Sequence, residues 1–325
     1  MIPRSYLYVP GTRADRFTKA LESGADAVIF DLEDAVAPAE KEAARRLVGD
    51  FLGTLRPVDR SPLDERPWGD EPERWVRTNP GPAGLNDLSG VLCAQLDGVC
   101  PAKTRSISDL LGLGELLHEA DSRALLEPLV EDAGAVLDAR SIASDHRVRR
   151  LHLGEGDLAA DLGLLLADRH VALAGARYQI VLASAAAGVE PPVAPVSPDY
   201  RDLELFEEET RYMRSLGFWG RACIHPAQVA VANEVFSLSH AEVEWADDVL
   251  RRLERASTDG DGVTLGADGQ MVDEAVARIA RRLLGRTARG RPGAEATTPG
   301  PGGPGAGERS GARHGLGSSL NQEHP

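Results

Sequence analysis

The residues of this sequence that are best placed for chemistry are charged side chains that follow short apolar runs. Asp31, Glu33 and Asp34 close the apolar run that begins at Ala27. Three carboxylates this close repel one another, so the sequence predicts a metal ion or an arginine beside them. The alternative is that one of them, such as Asp34, caps the following helix while the others are solvated.

One arginine, Arg77, comes near the end of another apolar run, in the stretch WVRTNP. Its planar guanidinium suits a small organic acid, because it can bind a carboxylate through two hydrogen bonds. A structural salt bridge to the carboxylates of the stretch DLED is the competing interpretation.

Two further carboxylates, Glu131 in ALLEPLVEDAG and Asp157 in LHLGEGDLAADLG, each end an apolar run, one strand apart in chain order. Such a pair, with positions left for water and substrate, is typical of a Mg²⁺ site, because that ion prefers oxygen and keeps several waters. Gly154 and Gly156 would let the backbone come close to the ligand. Taken separately, each acid also fits the start of a helix, where it complements the helix dipole.

Two other side chains have both a catalytic and a structural interpretation. Lys103, in GVCPAK, has the position of a Schiff-base lysine in one class of barrel aldolases, but a metal-dependent reaction does not need one. His225, in CIHP, can act as a general base, or it can lie buried with a hydrogen bond to the backbone, which is the more common arrangement.

The elements that position these residues alternate between short apolar runs and longer stretches of helical period, from Tyr6 to about Phe236. Eight strand candidates can be counted, which predicts a (β/α)₈ barrel, the TIM barrel. Active groups in such barrels lie at the carboxyl ends of the strands. The candidates begin at Tyr6, Ala27, Trp75, Gly98, Ala124, Arg149, Pro191 and Arg221.

The chain divides into three predicted parts. Residues 1–238 form the catalytic barrel, with a surface excursion rich in proline and charge from Leu55 to Glu73. Residues 239–285 contain two amphipathic helices joined by a glycine-rich turn, and they form an extension that can act as a lid or contact a neighbouring subunit. Residues 286–325 are rich in Gly, Pro and Ser, so we expect a disordered tail.

Composition narrows the class of partner and the compartment. With a formal net charge of −15 and 5% aromatic residues, no basic groove with stacking rings is expected, and nucleic acid is excluded as a partner. Cys93, Cys100 and Cys223 form no CxxC pair, so each is expected to be a small buried residue in a reducing compartment. The sequence has no run of about 18 apolar residues and no signal-peptide pattern, so we expect no membrane partner and a cytoplasmic location.

The motifs together resemble one family, the citrate lyase beta-subunit-like proteins of the HpcH/HpaI aldolase group, which also contains malyl-CoA and citramalyl-CoA lyases. The stretches that carry the resemblance occur in order from Arg4 to about Val276. They are RSYLYVPGTR, KALESGADAVIFDLEDAVAPAEKEAAR, VRTNP, LVEDAGAVLDARSIA, LGEGDLAADLG, GFWGRACIHPAQV and DGQMVDEAV.

The resemblance implies a barrel with a C-terminal helical extension, assembled as a homo-trimer or homo-hexamer. It implies Mg²⁺ on Glu131 and Asp157, with Arg77 and Glu131 contacting the acid substrate. It also matches Asp273 to a carboxylate that enters the site from a neighbouring subunit in related lyases.

The resemblance has one departure. The family pattern after the fourth strand is Pro-Lys, a small residue, Glu and Ser, whereas this chain has PAKTRS, with Ala102 in place of proline and Arg105 in place of glutamate. Contacts to the CoA, or to the carboxylates nearby, are expected to differ for that reason.

The sequence therefore predicts a Mg²⁺-dependent carbon–carbon lyase. It would split, reversibly, a 3-hydroxyacyl-CoA such as malyl-, citramalyl- or citryl-CoA into acetyl-CoA and a 2-oxo acid such as oxaloacetate. Asp34 or Asp273 would act as the base, and Asp31, Glu33 and Lys103 would surround and support the site. The alternatives are a malyl-CoA-type thioesterase and a non-catalytic lyase subunit that binds a 2-oxo acid.

Overall fold

The computed structural model describes residues 2–56, 71–165, 169–258, 261–267 and 269–287. The surface excursion predicted from Leu55 to Glu73 lies mostly outside these residues, and so does the predicted tail from residue 288 onward. The described residues form ten strands: β1 (Ser5–Pro10), β2 (Ala27–Asp31), β3 (Glu73–Thr78), β4 (Gly98–Pro101), β5 (Leu125–Leu126), β6 (Leu129–Val130), β7 (His152–Leu153), β8 (Arg221–Cys223), β9 (Thr264–Leu265) and β10 (Met271–Val272).

Helices follow the strands along the chain, as a (β/α) repeat requires. Short 3₁₀ turns at Ala14–Arg16 and Pro38–Glu40 precede the first two. The α-helices are α1 (Phe17–Leu21), α2 (Lys41–Thr54), α3 (Gly81–Val91), α4 (Ser108–Glu119), α5 (Ala133–Ile142), α6 (Glu155–Asp161), α7 (Arg169–Ala172), α8 (Ala174–Ala187), α9 (Leu203–Leu216), α10 (Pro226–Phe236), α11 (His240–Thr258) and α12 (Glu274–Thr287).

Strands β1 to β8 form a parallel barrel whose two arcs differ in continuity. Six strands make one sheet in the order β5, β4, β3, β2, β1, β8, and β6 pairs separately with β7. Single bridges complete the circuit, joining Leu126 to Val148, His152 to Val193 and Ala194 to Arg221. The predicted (β/α)₈ barrel is thereby confirmed.

The strand predicted from Pro191 is reduced to two bridged residues, Val193 and Ala194. Prolines at positions 191, 192 and 195 surround them. Proline has no backbone N–H to donate, so these residues cannot extend the ladder.

The apolar side chains of the strands alternate between the barrel interior and the helical layer. Val28 and Phe30 join the large core beneath the helices, while Ala27 and Ile29 belong to a small interior cluster with Trp75. Gly98 makes room for that tryptophan, because a Cβ atom there would lie 2.0 Å from its ring. The period of two along β2 thus fills both layers at once.

A buried ion-pair network, the interior network, also crosses the inside of the barrel. Arg149 bonds to Glu127 at 2.7 Å and to Glu73 at 2.7–2.9 Å, and His152 Nε2 lies 2.8 Å from Glu127 Oε2. The hydroxyl of Tyr6 donates to Glu127 at 3.0 Å. Since each charge has a partner, the network can be buried without isolated ions.

The C-terminal extension is a helical hairpin with a small core of its own. Helices α11 and α12 pack on each other through buried residues that include Val249, Leu253 and Ala280. The connecting segment was predicted as a glycine-rich turn, and it also contains the antiparallel pair β9 and β10. The division into barrel, extension and tail remains a prediction.

The end of α12 lies against the floor of the barrel, where the strands begin. The Arg286 guanidinium carbon is 4.4 Å from the centre of the Trp219 ring, just ahead of β8. Arg214 bonds to Glu242 at 2.6 Å and ties α9 to α11 nearby. Within the part of the chain that the structure describes, no helix is long and apolar enough to cross a membrane.

Candidate active site

The charged residues singled out from the sequence gather at one end of the barrel, where β2, β3, β4 and β6 finish. Strand register places Asp31 of β2 beside Arg77 of β3. Lys103 follows β4, Glu131 follows β6, and Asp157 lies in the first turn of α6. The carboxyl ends of barrel strands therefore bring these five together, as the fold predicts.

Arg77 makes the salt bridge that was one of its two interpretations. Its Nε and Nη2 each donate to one Asp31 oxygen at 2.7 Å, and Nη1 lies 3.4 Å from Glu33 Oε2. The guanidinium carbon is 5.1 Å from the centre of the Tyr8 ring. The charge of the DLED carboxylates is thus balanced by an arginine, and the plane of that arginine is fixed.

Side chains hold the loop after β2 in place through hydrogen bonds to its backbone. Asp31 accepts from the Glu33 N–H at 2.9 Å, and Asn79 donates to the carbonyl of Leu32 at 2.8 Å. Lys41 donates to the carbonyl of Glu33 at 2.7 Å. These contacts keep the Glu33 carboxylate turned toward the site, where it is 4% exposed.

Lys103 contacts the carboxylates of the site both through its backbone and through its side chain. Its φ is +51°, in the left-handed region that residues other than glycine rarely adopt. Its N–H donates to Glu131 Oε1 at 2.7 Å. Its ammonium bonds to Glu33, donates to Asp34 at 3.2 Å and lies 3.7 Å from Asp157 Oδ2.

Glu131 and Asp157 form a carboxylate pair that the surroundings leave partly uncompensated. Burial and the nearby charge of Asp157 raise the pKa of Glu131 to about 8, against the opposing effect of the Lys103 N–H. Asp157 Oδ2 is buried and accepts no hydrogen bond from any described residue. Gly154 permits this packing, because a Cβ there would lie 2.7 Å from Glu131 Oε2.

These features fit a hard divalent cation. Asp157 offers a buried carboxylate oxygen that accepts no hydrogen bond from the described residues, and it lies beside a second carboxylate whose pKa is raised to about 8. A cation close to both would stabilise their charged forms. The ligands are oxygen only, which suits Mg²⁺ rather than a softer metal. Glu131 and Asp157 are the residues that can hold it.

Two other residues singled out from the sequence, Asp273 and His225, make no contact with this group in the described chain. Asp273 caps α12, accepting from the Val276 N–H at 3.0 Å, and makes no recorded contact with the site of its own chain. His225 was expected to be buried, and that was wrong: it is exposed, although it does bond to the backbone as the N-cap of α10. Its ring stacks on Tyr200.

The cysteine prediction is confirmed in two cases out of three. Cys100 and Cys223 are buried, whereas Cys93 is half-buried. Cys100 also lies within 4.8 Å of Glu127 and His152, a grouping with the donor types of a metal site. The Arg149 guanidinium already bonds to Glu127 there, so the structure uses this carboxylate in the interior network.

Two contributors to the site were missed. Tyr8 supports the Arg77 guanidinium, and Asn79 fixes the loop after β2. Both carried a signal: Tyr8 lies two residues from Tyr6 in one strand, which puts both side chains on the interior face. Asn79 is the asparagine of the Arg-x-Asn stretch.

A cavity of about 440 Å³ opens beside Lys103, between the start of α3 and the start of α4. Its wall is largely apolar, with Pro80, Pro82 and Leu113 among the lining residues, and Arg105 borders it. Arg105 Nε lies 3.3 Å from Asp132 Oδ2, the residue after Glu131. The unexpected arginine is therefore a neighbour of the site.

Comparison with known proteins gives consistent matches over most of the chain. Residues 4–226 match the family HpcH/HpaI aldolase/citrate lyase. A (3S)-malyl-CoA thioesterase of Cereibacter sphaeroides is 34% identical over 285 residues, which cover 87% of this chain and 94% of that protein. An L-malyl-CoA/beta-methylmalyl-CoA lyase of Rhodobacter capsulatus is 29% identical, covering 86% and 93% respectively.

Two solved structures from Mycobacterium tuberculosis are also similar. The protein CitE in complex with magnesium, acetoacetate and coenzyme A has a TM-score of 0.66 and 31% identity, and the match covers 87% of this chain and 97% of that one. The citrate lyase beta subunit with oxaloacetate and magnesium has a TM-score of 0.58 and 31% identity, covering 72% and 97%.

Proposed function

Because the chain belongs to the HpcH/HpaI aldolase/citrate lyase family, we propose that it is a Mg²⁺-dependent lyase acting on a 3-hydroxyacyl-CoA. The reaction is reversible cleavage of a malyl-, citramalyl- or citryl-CoA into acetyl-CoA and a 2-oxo acid. The observation that carries the proposal is the Glu131–Asp157 pair, with one buried oxygen unpartnered among the described residues, beside Arg77. Magnesium with small oxo acids in the similar solved structures supports it.

The substrate carboxylate is assigned to Arg77. Asp31 accepts from Nε and Nη2 on one edge of that guanidinium, which leaves an edge that contains Nη1, 3.4 Å from Glu33 Oε2. A bound carboxylate would use this edge and replace the long contact to Glu33. Glu131 and Asp157 would hold Mg²⁺, which supplies a Lewis acid that draws charge from the 2-oxo acid.

Cleavage needs a base for the substrate hydroxyl proton. As the base takes that proton, the O–H electron pair forms the carbonyl of the 2-oxo acid and the carbon–carbon bond breaks, its own electron pair forming the thioester enolate. Return of the proton from the base to the enolate carbon gives acetyl-CoA. Burial alone would raise the pKa of Asp34, but its hydrogen bonds with Glu33 and Lys103 outweigh burial and lower it. A lowered pKa makes a weak base, so we favour Asp273, supplied by a neighbouring subunit, over Asp34.

A thioesterase is the second candidate, favoured by the malyl-CoA thioesterases among the relatives at 32–34% identity. The same residues would hold the same substrate, while water would attack the thioester carbonyl. Hydrolysis yields free CoA and an intact hydroxy acid, whereas cleavage yields acetyl-CoA and an oxo acid.

The test is a product analysis with Mg²⁺ and malyl-, citramalyl- and citryl-CoA, together with acetyl-CoA plus each 2-oxo acid for the reverse reaction. We expect an oxo acid and acetyl-CoA, with loss of activity in Glu131→Ala and Asp157→Ala and unchanged activity in Asp138→Ala, an exposed acid on α5. Hydroxy acid with free CoA would establish the thioesterase instead. Oxaloacetate binding without any turnover would indicate a non-catalytic subunit.

A further inference from the structure

Lys103 is a cation placed where the proposed metal site needs one. Its ammonium contacts Glu33 and Asp34 and is 3.7 Å from Asp157 Oδ2, the oxygen that accepts no hydrogen bond from the described residues. No other cationic group is recorded within 4 Å of Asp157 in the described chain. The ammonium therefore supplies the positive charge nearest to the proposed metal ligand.

The backbone holds that side chain in position by an unusual conformation. Lys103 and Asp121 are the two residues other than glycine with a positive φ among those described. At Lys103 this conformation turns the N–H onto Glu131 Oε1 at 2.7 Å while the side chain runs toward Asp157. One residue thus contacts both proposed metal ligands, through two different groups.

From this arrangement we propose that Lys103 is a built-in competitor of the metal: its ammonium neutralises Asp157 in the metal-free protein, and Mg²⁺ must displace it. This inference rests on the metal site of the proposed function. Two cations cannot share one carboxylate oxygen at contact distance without strong repulsion. The lysine side chain is 36% exposed and borders the 440 Å³ cavity, so it has room to turn away.

The competition has a definite sign. If Lys103 were only a scaffold for the carboxylates, its removal would weaken Mg²⁺ binding. If it competes, a neutral side chain leaves Asp157 without compensation, and Mg²⁺ binds more tightly. Because the ammonium is partly exposed and therefore screened, we expect about a tenfold lower Kd rather than the larger effect of a buried pair.

The experiment is calorimetric titration of MgCl₂ into the full chain, without any CoA ester. Lys103→Met should bind about tenfold more tightly, and Lys103→Arg, which keeps the charge, should stay within about twofold of the natural protein. Lys103→Gly repeats the test with a residue that adopts a φ of +51° without strain. Lys19→Met, the same change at an exposed position on α1, is the matched control.

Unchanged or weaker binding in folded Lys103→Met and Lys103→Gly would overturn the inference, and so would equal tightening in Lys103→Arg. Circular dichroism establishes that the variants are folded. If the natural protein binds Mg²⁺ and only the lysine variants fail to tighten, the proposed function stands and this inference falls. If no form binds Mg²⁺, both fall.

Discussion

Glu131 has to satisfy two requirements that oppose each other. It sits against Gly154 and accepts the Lys103 N–H, which stabilises its charged form, yet burial and Asp157 stabilise the neutral form more strongly. The residue is therefore poised to exchange a proton for a metal ion. A carboxylate whose oxygens all accept hydrogen bonds from the protein would have a lower affinity for a cation.

The first prediction concerns this exchange. Mg²⁺ binds the ionised carboxylate, and the pKa of Glu131 in the metal-free protein is about 8, so protons compete with the metal below that pH. Affinity should rise by about twentyfold from pH 6.5 to pH 8.5 and then level off, as measured by MgCl₂ titration in matched ionic strength. Glu131→Gln cannot ionise and should bind weakly at every pH. A flat profile for the natural protein would contradict the assignment.

At the scale of elements, the junction of β7 with α6 decides how closely two carboxylates can approach. Gly154 is the N-cap of α6, and its missing side chain leaves the space that Glu131 occupies. The helix then carries Asp157 in its first turn, on the far side of the same gap. One glycine thus sets the separation between the acid that follows β6 and the acid on α6.

The second prediction uses the two glycines of this junction as a matched pair. A Cβ at position 154 would lie 2.6 Å from the Glu131 Cβ, whereas a Cβ at position 156 has no atom within 4 Å. Gly154→Ala should weaken Mg²⁺ binding about tenfold or more by displacing Glu131. Gly156→Ala should stay within about twofold. Titration of both variants decides the matter, and equal effects would show that the spacing is unimportant.

The elements also show what could be predicted from the sequence and what could not. Asp31, Arg77, Glu131 and Asp157 could be found because each ends an apolar run, and the barrel puts such ends together. The position of the Lys103 ammonium could not, because it depends on a backbone conformation that a lysine seldom adopts.

The interior network was missed for a different reason. Glu127, Arg149 and His152 lie within the predicted strands, but their charges were not paired across the barrel. The signal was present in the stretches ALLEPLVE and RRLHLGEGD, because charges that point into a barrel need partners. The stagger between strands decides which charged side chains lie close together, and the sequence of a single strand does not determine that stagger.

At the scale of the whole molecule, the extension is attached at the opposite end from the site. Arg286 near the end of α12 packs on Trp219 at the floor of the barrel, while Asp273 at the start of α12 has no recorded contact with Arg77 or Glu131. The apolar side chains of Val263, Leu265 and Met271 beside it are 52–62% exposed. Asp273 therefore lies outside the contacts of its own site, and the role proposed for it requires another chain of the proposed trimer or hexamer.

The third prediction tests that role by complementation. Asp273→Ala should lose at least about a hundredfold in turnover while keeping its Mg²⁺ affinity, because a general base is removed and the metal ligands are not. Asp261→Ala, in the same hairpin, should remain active. Co-expression of Asp273→Ala with Arg77→Ala should restore about a quarter of the natural activity, since random assembly re-creates complete sites between chains. No recovery in a mixed oligomer, its size checked by light scattering, would place Asp273 outside the shared site.

The barrel has one arc with a continuous strand ladder and another arc that is closed by short strands and single bridges. Asp31 and Arg77 lie on the first arc, where the ladder of β1 to β4 is continuous. Glu131 and Asp157 follow the strands of the second arc, where two-residue strands and single bridges close the barrel. A cation held by these two acids would add a link across the arc that has fewer strand hydrogen bonds, while the continuous ladder holds the arginine that receives the substrate. Binding of the metal ion would then fix the side of the site that holds Glu131 and Asp157, whereas the side that holds Arg77 is fixed without it.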